Sequence, residues 1–383
     1  MNVYLDNAAT TKLHPKVYEA MLPYLKDDFG NPSSIHSFGR KVKVKIEEAR
    51  ETIANFINAD PSEIYFVSGG TEAINFPLIG IAKTEFEESG KDHVITSKVE
   101  HNAVLETYEE LKKIGFDASF LDVTNESIIV IDELLKSIRP STSLLSLIHV
   151  NNETGAMNDI KQIASAIPSE IVLHSDTVQS FGKILIDVNG LRVDSISASA
   201  HKIYGPKGIG FTWVKNGTPL SPLHFGGSQE RNRRGGTENV PGIIGLTEAV
   251  RIANTEMNDN YNTVSSLKAY FSEGIASIDK QGVAVNESTS TSPYILSITF
   301  KSNFYKNDTE AMLIYLDLNG IAAASGAACS SGALKPSHVM LNSGRSERDS
   351  AGTIRFSFSP NNTIEEIEYT LDVLKKMVEK FRK

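Results

Sequence analysis

Short β-rich runs alternate with amphipathic helical stretches between residues 63 and 214, and this alternation constrains the fold more than any other feature. A strand, a crossover helix and a following strand of the same sheet place the two strands parallel to each other. The pattern therefore predicts an α/β fold in which a mostly parallel sheet carries helices on both faces. The candidate strands are residues 63–67, 93–97, 144–150, 171–175, 195–200 and 208–214.

Composition excludes several classes of function. The chain has 383 residues, of which 40% are hydrophobic, so it can bury a sizeable core without metal ions or disulfides. A formal net charge of −9 repels phosphate backbones and anionic lipids, so we expect neither nucleic acid nor a membrane as its main partner. Its apolar runs are far shorter than the roughly 18 residues of a membrane span, and its first residues do not resemble a secretion signal. We expect a cytoplasmic enzyme.

The pattern changes after Met257, where a long helical stretch leads into β-rich runs at 283–286, 294–300 and 353–359 and then a terminal helix. This order predicts a smaller α+β domain behind the sheet domain. We expect a large domain at residues 15–259 and a small domain at residues 260–383. An N-terminal segment, residues 1–14, is expected to pack with the small domain.

The most informative segment runs from Ser199 to Gly210 and reads SAHKIYGPKGIG. A strand-like run ends there near Lys202 and enters a turn rich in glycine and proline, where backbone can approach a ligand closely. A lysine that is desolvated at such an edge can lose its proton and form a Schiff base with a carbonyl compound. A lone lysine in a turn would more often be a surface residue. A P-loop is excluded because this lysine precedes the glycines.

Lys202 and its neighbours resemble the pyridoxal-phosphate lysine motif of the cysteine desulfurases, which are aminotransferase-like enzymes of fold type I. The resemblance extends in matching order over essentially the whole chain. It implies pyridoxal 5'-phosphate as the cofactor of the large domain, with a smaller α+β C-terminal domain beside it. The other matching segments are YLDNAATT from Tyr4, NPSS from Asn31, SGGTE from Ser68, EH at Glu100, NNETG from Asn151, HSD from His174, RGGTEN from Arg234, Cys329 and IRFS from Ile354.

One group of residues suits the phosphate of that cofactor. The turn at Gly70 and Thr71 follows a candidate strand and opens a helix, so its free N–H groups and the Thr71 hydroxyl can cradle a phosphate dianion. The alternative interpretation, without a ligand, is a glycine turn in which Thr71 caps the helix. The resemblance adds donors from Ser199 and His201 to the same phosphate, and a contact from Thr237 to the phosphate of a second subunit.

A second group suits the cofactor ring. Asp176 at a strand end can pair with the pyridinium nitrogen and keep it protonated, which makes the ring an electron sink. The resemblance assigns Gln179 to the phenolic oxygen of the ring and Asn152 to a position beside the ring and the substrate. It stacks His101 over the ring, where an imidazole can also move protons.

Arg355 is the candidate for holding the substrate carboxylate. Its guanidinium is a planar cation that can make two parallel hydrogen bonds to an α-carboxylate, although most arginines form surface ion pairs. Asn31 is a weaker candidate for the same carboxylate.

Cys329 is the single cysteine of the chain and lies among small and polar residues between Gly326 and Gly332. Free cysteines are usually buried hydrophobic residues, whereas this composition favours an exposed, mobile loop. The resemblance makes Cys329 the nucleophile that takes sulfur from L-cysteine as a persulfide. A metal site is not expected, because no second cysteine and no paired zinc spacing of histidines are present.

The resemblance implies a homodimeric cysteine desulfurase that converts L-cysteine to L-alanine, with Lys202, His101 and Cys329 as catalytic residues. The sulfur would pass to an acceptor protein in iron-sulfur cluster, thio-cofactor or tRNA thiolation pathways. Three alternatives stay open: a related lyase or aminotransferase acting on another amino acid, a cofactor-binding scaffold without turnover, and a nucleotide-binding module. The presence of both Lys202 and Cys329 argues against the scaffold. The lack of a P-loop and of a strand-linked G-x-G-x-x-G argues against the nucleotide module.

Overall fold

The computed structural model of the chain describes residues 1–326 and 336–383 in full and, between them, only the backbone of Cys329–Ser330 and Ala333–Leu334. The expected mobility of the cysteine loop and the surroundings of the Cys329 side chain therefore lie outside the described residues.

Helices and strands alternate along most of the described chain. The strands are β1 (Val3–Tyr4), β2 (Ile64–Val67), β3 (His93–Ser97), β4 (Asp117–Leu121), β5 (Thr142–Ile148), β6 (Val172–Asp176), β7 (Ser195–Ser199), β8 (Gly210–Val214), β9 (Val283–Val285), β10 (Ile295–Phe300), β11 (Ile321–Ala322), β12 (Cys329–Ser330), β13 (Ala333–Leu334) and β14 (Thr353–Ser357). The helices are α1 (Pro15–Lys26), α2 (Ser37–Ile57), α3 (Gly70–Ser89), α4 (Asn102–Lys113), α5 (Ile131–Ser137), α6 (Ile160–Ala166), α7 (Val188–Leu191), α8 (Gln229–Asn232), α9 (Val240–Ile278), α10 (Thr309–Leu318), α11 (His338–Asn342), α12 (Glu347–Ser350) and α13 (Ile364–Phe381).

A seven-stranded sheet in the order β2-β8-β7-β6-β5-β3-β4 forms the centre of the larger part. Strands β4, β3, β5, β6 and β7 are mutually parallel, and only β8 runs antiparallel to its neighbours β7 and β2. The predicted α/β fold with a mostly parallel sheet is therefore confirmed. Because parallel strands end at one edge, this topology brings the last residues of β2, β6 and β7 to the same side of the sheet, where α/β proteins bind ligands.

The sequence analysis missed β4, which forms an edge of this sheet. Only Leu121 of its five residues is buried, while Asp117 is exposed and the three residues between them are half-buried. An edge strand in this position carries no continuous apolar run, and periodicity alone does not separate it from a loop.

Helix α2 shows how one face of a helix joins the core. Its residues Val42, Ile46, Ala49 and Ile53 recur at steps of three and four and are buried against the sheet core, as the apolar face of an amphipathic helix is. Among the described residues, none of the helices combines the length and the apolar character of a membrane-spanning segment.

A second, antiparallel sheet has the order β14-β10-β9 and packs with α10 and α13 around its own hydrophobic cluster. The N-terminal segment joins this cluster, because β1 pairs with β11 and Leu5 is fully buried. Helix α9 is longer than the sequence pattern predicts and runs without a break through residues 259 and 260. The division into domains at that point stays a prediction.

Candidate active site

A cavity of about 370 Å³ lies at the sheet edge where β6 and β7 end. Asp176 is the last residue of β6 and Ser199 is the last residue of β7. The predicted site residues that line this cavity are Gly70, Thr71, His101, Asn152, Asp176, Gln179, Ser199, His201, Lys202 and Arg355. The fold therefore brings together residues that are up to 285 positions apart, from Gly70 to Arg355.

One end of the cavity offers unpaired donors. Helix α3 begins at Gly70 without a side-chain cap, and the preceding Gly69 has a φ of 154°, a conformation that favours glycine. The first N–H groups of a helix have no partner within it and carry partial positive charge. The Ser199 hydroxyl is buried against Gly70 and makes no hydrogen bond within the described residues. This end can bind an anion.

His201 is a further polar residue that lines the cavity. Its Nδ1 lies 3.2 Å from the Thr10 hydroxyl. Burial, followed by the positive charges of Lys202 and Lys207, lowers the pKa of His201 to about 4. The imidazole is therefore neutral at physiological pH and can donate one N–H to a ligand without adding charge.

Asp176 supplies a buried carboxylate. Its Oδ1 accepts a hydrogen bond from the Val178 N–H at 2.9 Å. Burial raises the pKa of Asp176, while the nearby His101 and Lys202 oppose this rise. A buried carboxylate of this kind is stabilised when a cationic group binds beside it.

Lys202 ends the short 3₁₀ turn that follows β7. Its Nζ donates to the carbonyl oxygens of Ala8 at 2.6 Å and Ala9 at 2.8 Å. Burial and the positive charge of Arg355 lower the pKa of Lys202 to about 8. The amine is consequently available as a nucleophile or base much nearer neutrality than an ordinary lysine.

His101 caps α4, and its Nδ1 accepts a hydrogen bond from the Ala103 N–H at 3.1 Å. Its Nε2 must therefore carry the proton when the ring is neutral. Burial lowers the pKa of His101, against the opposing effect of Asp176. The ring faces the cavity as a neutral group that can exchange a proton.

Arg355 and Asn152 form another part of the wall. The Nη2 of Arg355 donates to Asp6 at 2.8 Å and its Nη1 donates to the Asn152 carbonyl at 2.8 Å. The Nε of Arg355 and the Oδ1 of Asn152 are buried without partners in the described residues. Asp6 was not predicted, and it fixes the guanidinium in place.

Gln179 has a neighbour that the sequence analysis missed. Its Nε2 donates to the Ala8 carbonyl at 2.9 Å, and its Oε1 accepts from Lys183 at 3.0 Å. Lys183 is buried over the Tyr294 ring, and burial lowers the pKa of Lys183 to about 7. No sequence signal marks Lys183, since its contacts arise only when the turn after β6 packs against Tyr294.

Two predicted residues lie outside this cavity. Asn31 is exposed, and its Oδ1 accepts a hydrogen bond from the Ser33 N–H at 2.9 Å. Thr237 is also exposed and lines a separate pocket with Gly208, Glu230 and Arg234. Their predicted roles toward substrate and toward a second subunit stay predictions.

The cavity residues fit pyridoxal 5'-phosphate. The unpaired Ser199 hydroxyl and the start of α3 suit a phosphate. Asp176 is a buried anion that a protonated ring nitrogen would stabilise as its cationic partner. Lys202 offers an amine of lowered pKa to the aldehyde. Among the described residues, no group of three or more His, Cys, Asp or Glu side chains could hold a metal ion.

Comparisons with known proteins show to which family the chain belongs. Residues 3–370 match the aminotransferase class-V family. The chain is 45% identical to a cysteine desulfurase IscS of Dictyoglomus turgidum, over 99% of this chain and 95% of that protein. It superimposes on a solved NifS-like protein with a TM-score of 0.91, 34% identity and full coverage of both chains. A structure of SspA in complex with cysteine matches with a TM-score of 0.79 and 32% identity, over 94% of this chain and 100% of that one. The chain therefore belongs to the class-V aminotransferase family and, within it, to the cysteine desulfurases.

Proposed function

We propose that the chain converts L-cysteine to L-alanine and leaves the sulfur as a persulfide on Cys329. The observation that carries this proposal is the juxtaposition of Lys202, Asp176 and Arg355 around one cavity. These three groups supply an amine of lowered pKa, a buried anion and a fixed cation for a carboxylate. Membership of the cysteine desulfurases supports L-cysteine as the amino acid.

Pyridoxal 5'-phosphate, when bound, supplies an electron sink for the bonds of a substrate amino acid. Lys202 would hold its aldehyde and Asp176 its ring nitrogen. Ser199, His201 and the N–H groups at the start of α3 would hold its phosphate.

Two side chains are suited to proton transfer at the substrate. The Lys202 amine, with its lowered pKa, can take a proton near neutral pH and return it. His101 lines the same cavity, and its Nε2, which is not used in the hydrogen bond with Ala103, offers a second acid or base.

Arg355 can orient the substrate through its carboxylate. Its partners Asp6 and Asn152 hold the guanidinium in one orientation, and the remaining N–H groups can donate to an α-carboxylate. A pre-oriented cation lowers the entropic cost of positioning the reacting atoms.

The sulfur transfer balances as a two-electron displacement. The Cys329 thiolate forms a bond to the substrate sulfur while the carbon–sulfur bond of the substrate breaks. The electron pair of that bond stays with the substrate carbon, which takes a proton and yields alanine. Cys329 keeps the sulfur as a persulfide, from which an acceptor protein would remove it.

Anaerobic incubation of the purified protein with L-cysteine tests the proposal. We expect alanine and, in the presence of a thiol reductant, an equal amount of sulfide, because each turnover moves one sulfur atom. Amino-acid analysis and a sulfide assay measure the two products. Pyruvate, or turnover of another amino acid without alanine, would favour the related lyase or aminotransferase instead.

The lowered pKa of Lys202 predicts a specific pH dependence of cofactor capture. With a pKa of about 8, roughly a quarter of the amine is neutral at pH 7.5, against about one part in a thousand for an ordinary lysine. Only the neutral amine attacks an aldehyde, so capture of pyridoxal phosphate by the apoprotein should quicken up to about pH 8 and then level off. Borohydride reduction followed by peptide mass spectrometry measures the product on Lys202. Attachment at Lys207, the next lysine in the sequence, would remove Lys202 from its proposed role.

The proposal extends to a cytoplasmic homodimer. Thr237 lies outside the cavity and is exposed, so it is available to a second copy of the chain, and two-fold dimers are the commonest oligomers. Sedimentation at micromolar concentration measures the dimer, and a fully active monomer would contradict it. As the partner that removes the sulfur from Cys329, we propose a sulfur-acceptor protein.

A further inference from the structure

A second cavity of about 350 Å³ adjoins the first and shares His101, Asn152 and Arg355 with it. Its other lining residues include Glu153, Gly326 and Ser337. Glu153 is buried, and no step of the proposed reaction uses it. Gly326 and Ser337 belong to the two fully described stretches of chain that flank Cys329 in sequence.

The carboxyl group of Glu153 contacts both of these flanks. Its Oε2 accepts a hydrogen bond from the Ser337 hydroxyl. On the other side, a Cβ added to Gly326 would overlap the same Oε2 and the Cδ of Glu153. The carboxyl group and the Gly326 backbone are therefore packed together in a way that only glycine permits.

Glu153 is itself held rigidly. The Asn151 side chain accepts hydrogen bonds from the N–H groups of Glu153 at 2.9 Å and Thr154 at 3.0 Å. The same side chain donates to the Val99 carbonyl at 2.9 Å. On the far side, Ser337 caps α11 by accepting from the Met340 N–H at 3.2 Å. The contact thus joins a fixed turn at the cavity wall to the start of a helix.

We propose that Glu153 is a positioning residue, whose buried carboxyl group anchors Gly326 and Ser337 beside the wall formed by Asn152 and Arg355. The inference rests on the proposed function, because the segment between these two anchors carries Cys329. Anchoring fixes the positions of Gly326 and Ser337 at the cavity wall, and small errors in the position of a reacting atom cost large factors in rate.

The carboxyl group acts here through its shape and its acceptor oxygen. Burial raises the pKa of Glu153 to about 7, against the hydrogen bond from Ser337 and the positive charge of Arg355. Glutamine has nearly the same shape and retains an oxygen that accepts from Ser337. Glutamine at position 153 should therefore preserve the anchoring, whereas alanine should abolish it.

The single cysteine of the chain provides a direct test, since a thiol reagent reports on Cys329 alone. In the cofactor-loaded enzyme, Glu153→Ala should lower kcat for alanine roughly 10- to 100-fold while KM for L-cysteine and cofactor content change less than about two-fold. Alkylation of Cys329 by iodoacetamide, followed by intact mass, should become at least about three-fold faster because the flanks are released. Glu153→Gln should stay within about three-fold of wild type in both measurements.

Two further variants separate anchoring from a general loss of stability. Gly326→Ala, which leaves Glu153 in place, should reproduce the loss of kcat because its methyl group displaces the flank. The double variant Glu153→Ala with Gly326→Ala should have a kcat no lower than that of Glu153→Ala alone, because both substitutions break the same contact. Glu63→Ala is the matched control. It removes another buried carboxylate, which lies just before β2 and accepts a hydrogen bond from the Trp213 indole at 2.9 Å, and it should leave kcat and alkylation unchanged.

Unchanged kcat and alkylation in Glu153→Ala, or equal damage from Glu153→Gln, would overturn the inference. If Glu153→Ala does not fold, Gly326→Ala provides the test. A wild-type kcat and a wild-type alkylation rate in Gly326→Ala would then overturn the proposed anchoring. The alkylation rate needs no turnover. A wild-type enzyme that makes no alanine would thus refute the proposed function, while the labelling comparison would still decide the anchoring.

Discussion

Replacement of Cys329 by serine is expected to stop alanine formation from L-cysteine almost completely. Removal of a covalent nucleophile costs on the order of a thousand-fold or more in turnover, and a serine hydroxyl is not ionised near neutral pH and does not accept sulfur. The cofactor residues Lys202 and Asp176 and the substrate-binding residue Arg355 are untouched, so cofactor content and the response of the cofactor absorbance to added L-cysteine should stay normal. Quantifying alanine and recording the absorption spectrum of the same sample checks both expectations.

Mass spectrometry of the wild-type protein gives the complementary result. After a single addition of L-cysteine, the peptide that contains Cys329 should be heavier by one sulfur atom, and a thiol reductant should release that atom as sulfide. Ser330→Ala, one residue away, is the matched control and should keep both the alanine rate and the added sulfur. If Cys329→Ser makes alanine at the wild-type rate, the persulfide mechanism is wrong and a lyase reaction replaces it.

Asp176→Asn is expected to lose at least about 100-fold in turnover, which corresponds to about 2.7 kcal/mol of transition-state stabilisation. An amide cannot hold a protonated ring nitrogen as an ion pair, so the electron sink is weakened. The fold should persist, because the asparagine oxygen can still accept from the Val178 N–H that Asp176 bonds at 2.9 Å. Steady-state kinetics and the cofactor absorption spectrum measure the effect.

Asp194→Asn provides the control for that substitution. Asp194 lies just before β7, and its Oδ2 accepts from the Leu173 N–H at 3.0 Å, at the opposite end of the sheet strands from Asp176. Its turnover should be close to wild type, since it makes the same kind of hydrogen bond without facing the cavity. Near-normal activity in Asp176→Asn would take Asp176 out of the site.

The sequence by itself determined the class of fold and most of the cavity. Alternating β-rich and amphipathic runs predicted the mostly parallel sheet, because strands buried on both faces, such as β5 and β7, are built largely from apolar and small residues. Strand-end positions marked Lys202, Asp176 and the glycine turn as candidates, because parallel strands deliver their carboxyl ends to one edge, and the resemblance to the cysteine desulfurases, carried by short motifs along the whole chain, supplied the other cavity residues. These signals are local in the chain, and that is why they can be found without a structure.

Only the tertiary structure decided which distant residues touch. Asp6 meets Arg355 across 349 positions, and Ser337 meets Glu153 across 184. Lys183 loses its solvent only when it packs over Tyr294. Such contacts depend on how separate elements pack, and no pattern within one segment records them. The sequence analysis missed β4 for the same reason. This segment is a strand because it pairs with β3, and its own residues do not mark it as one.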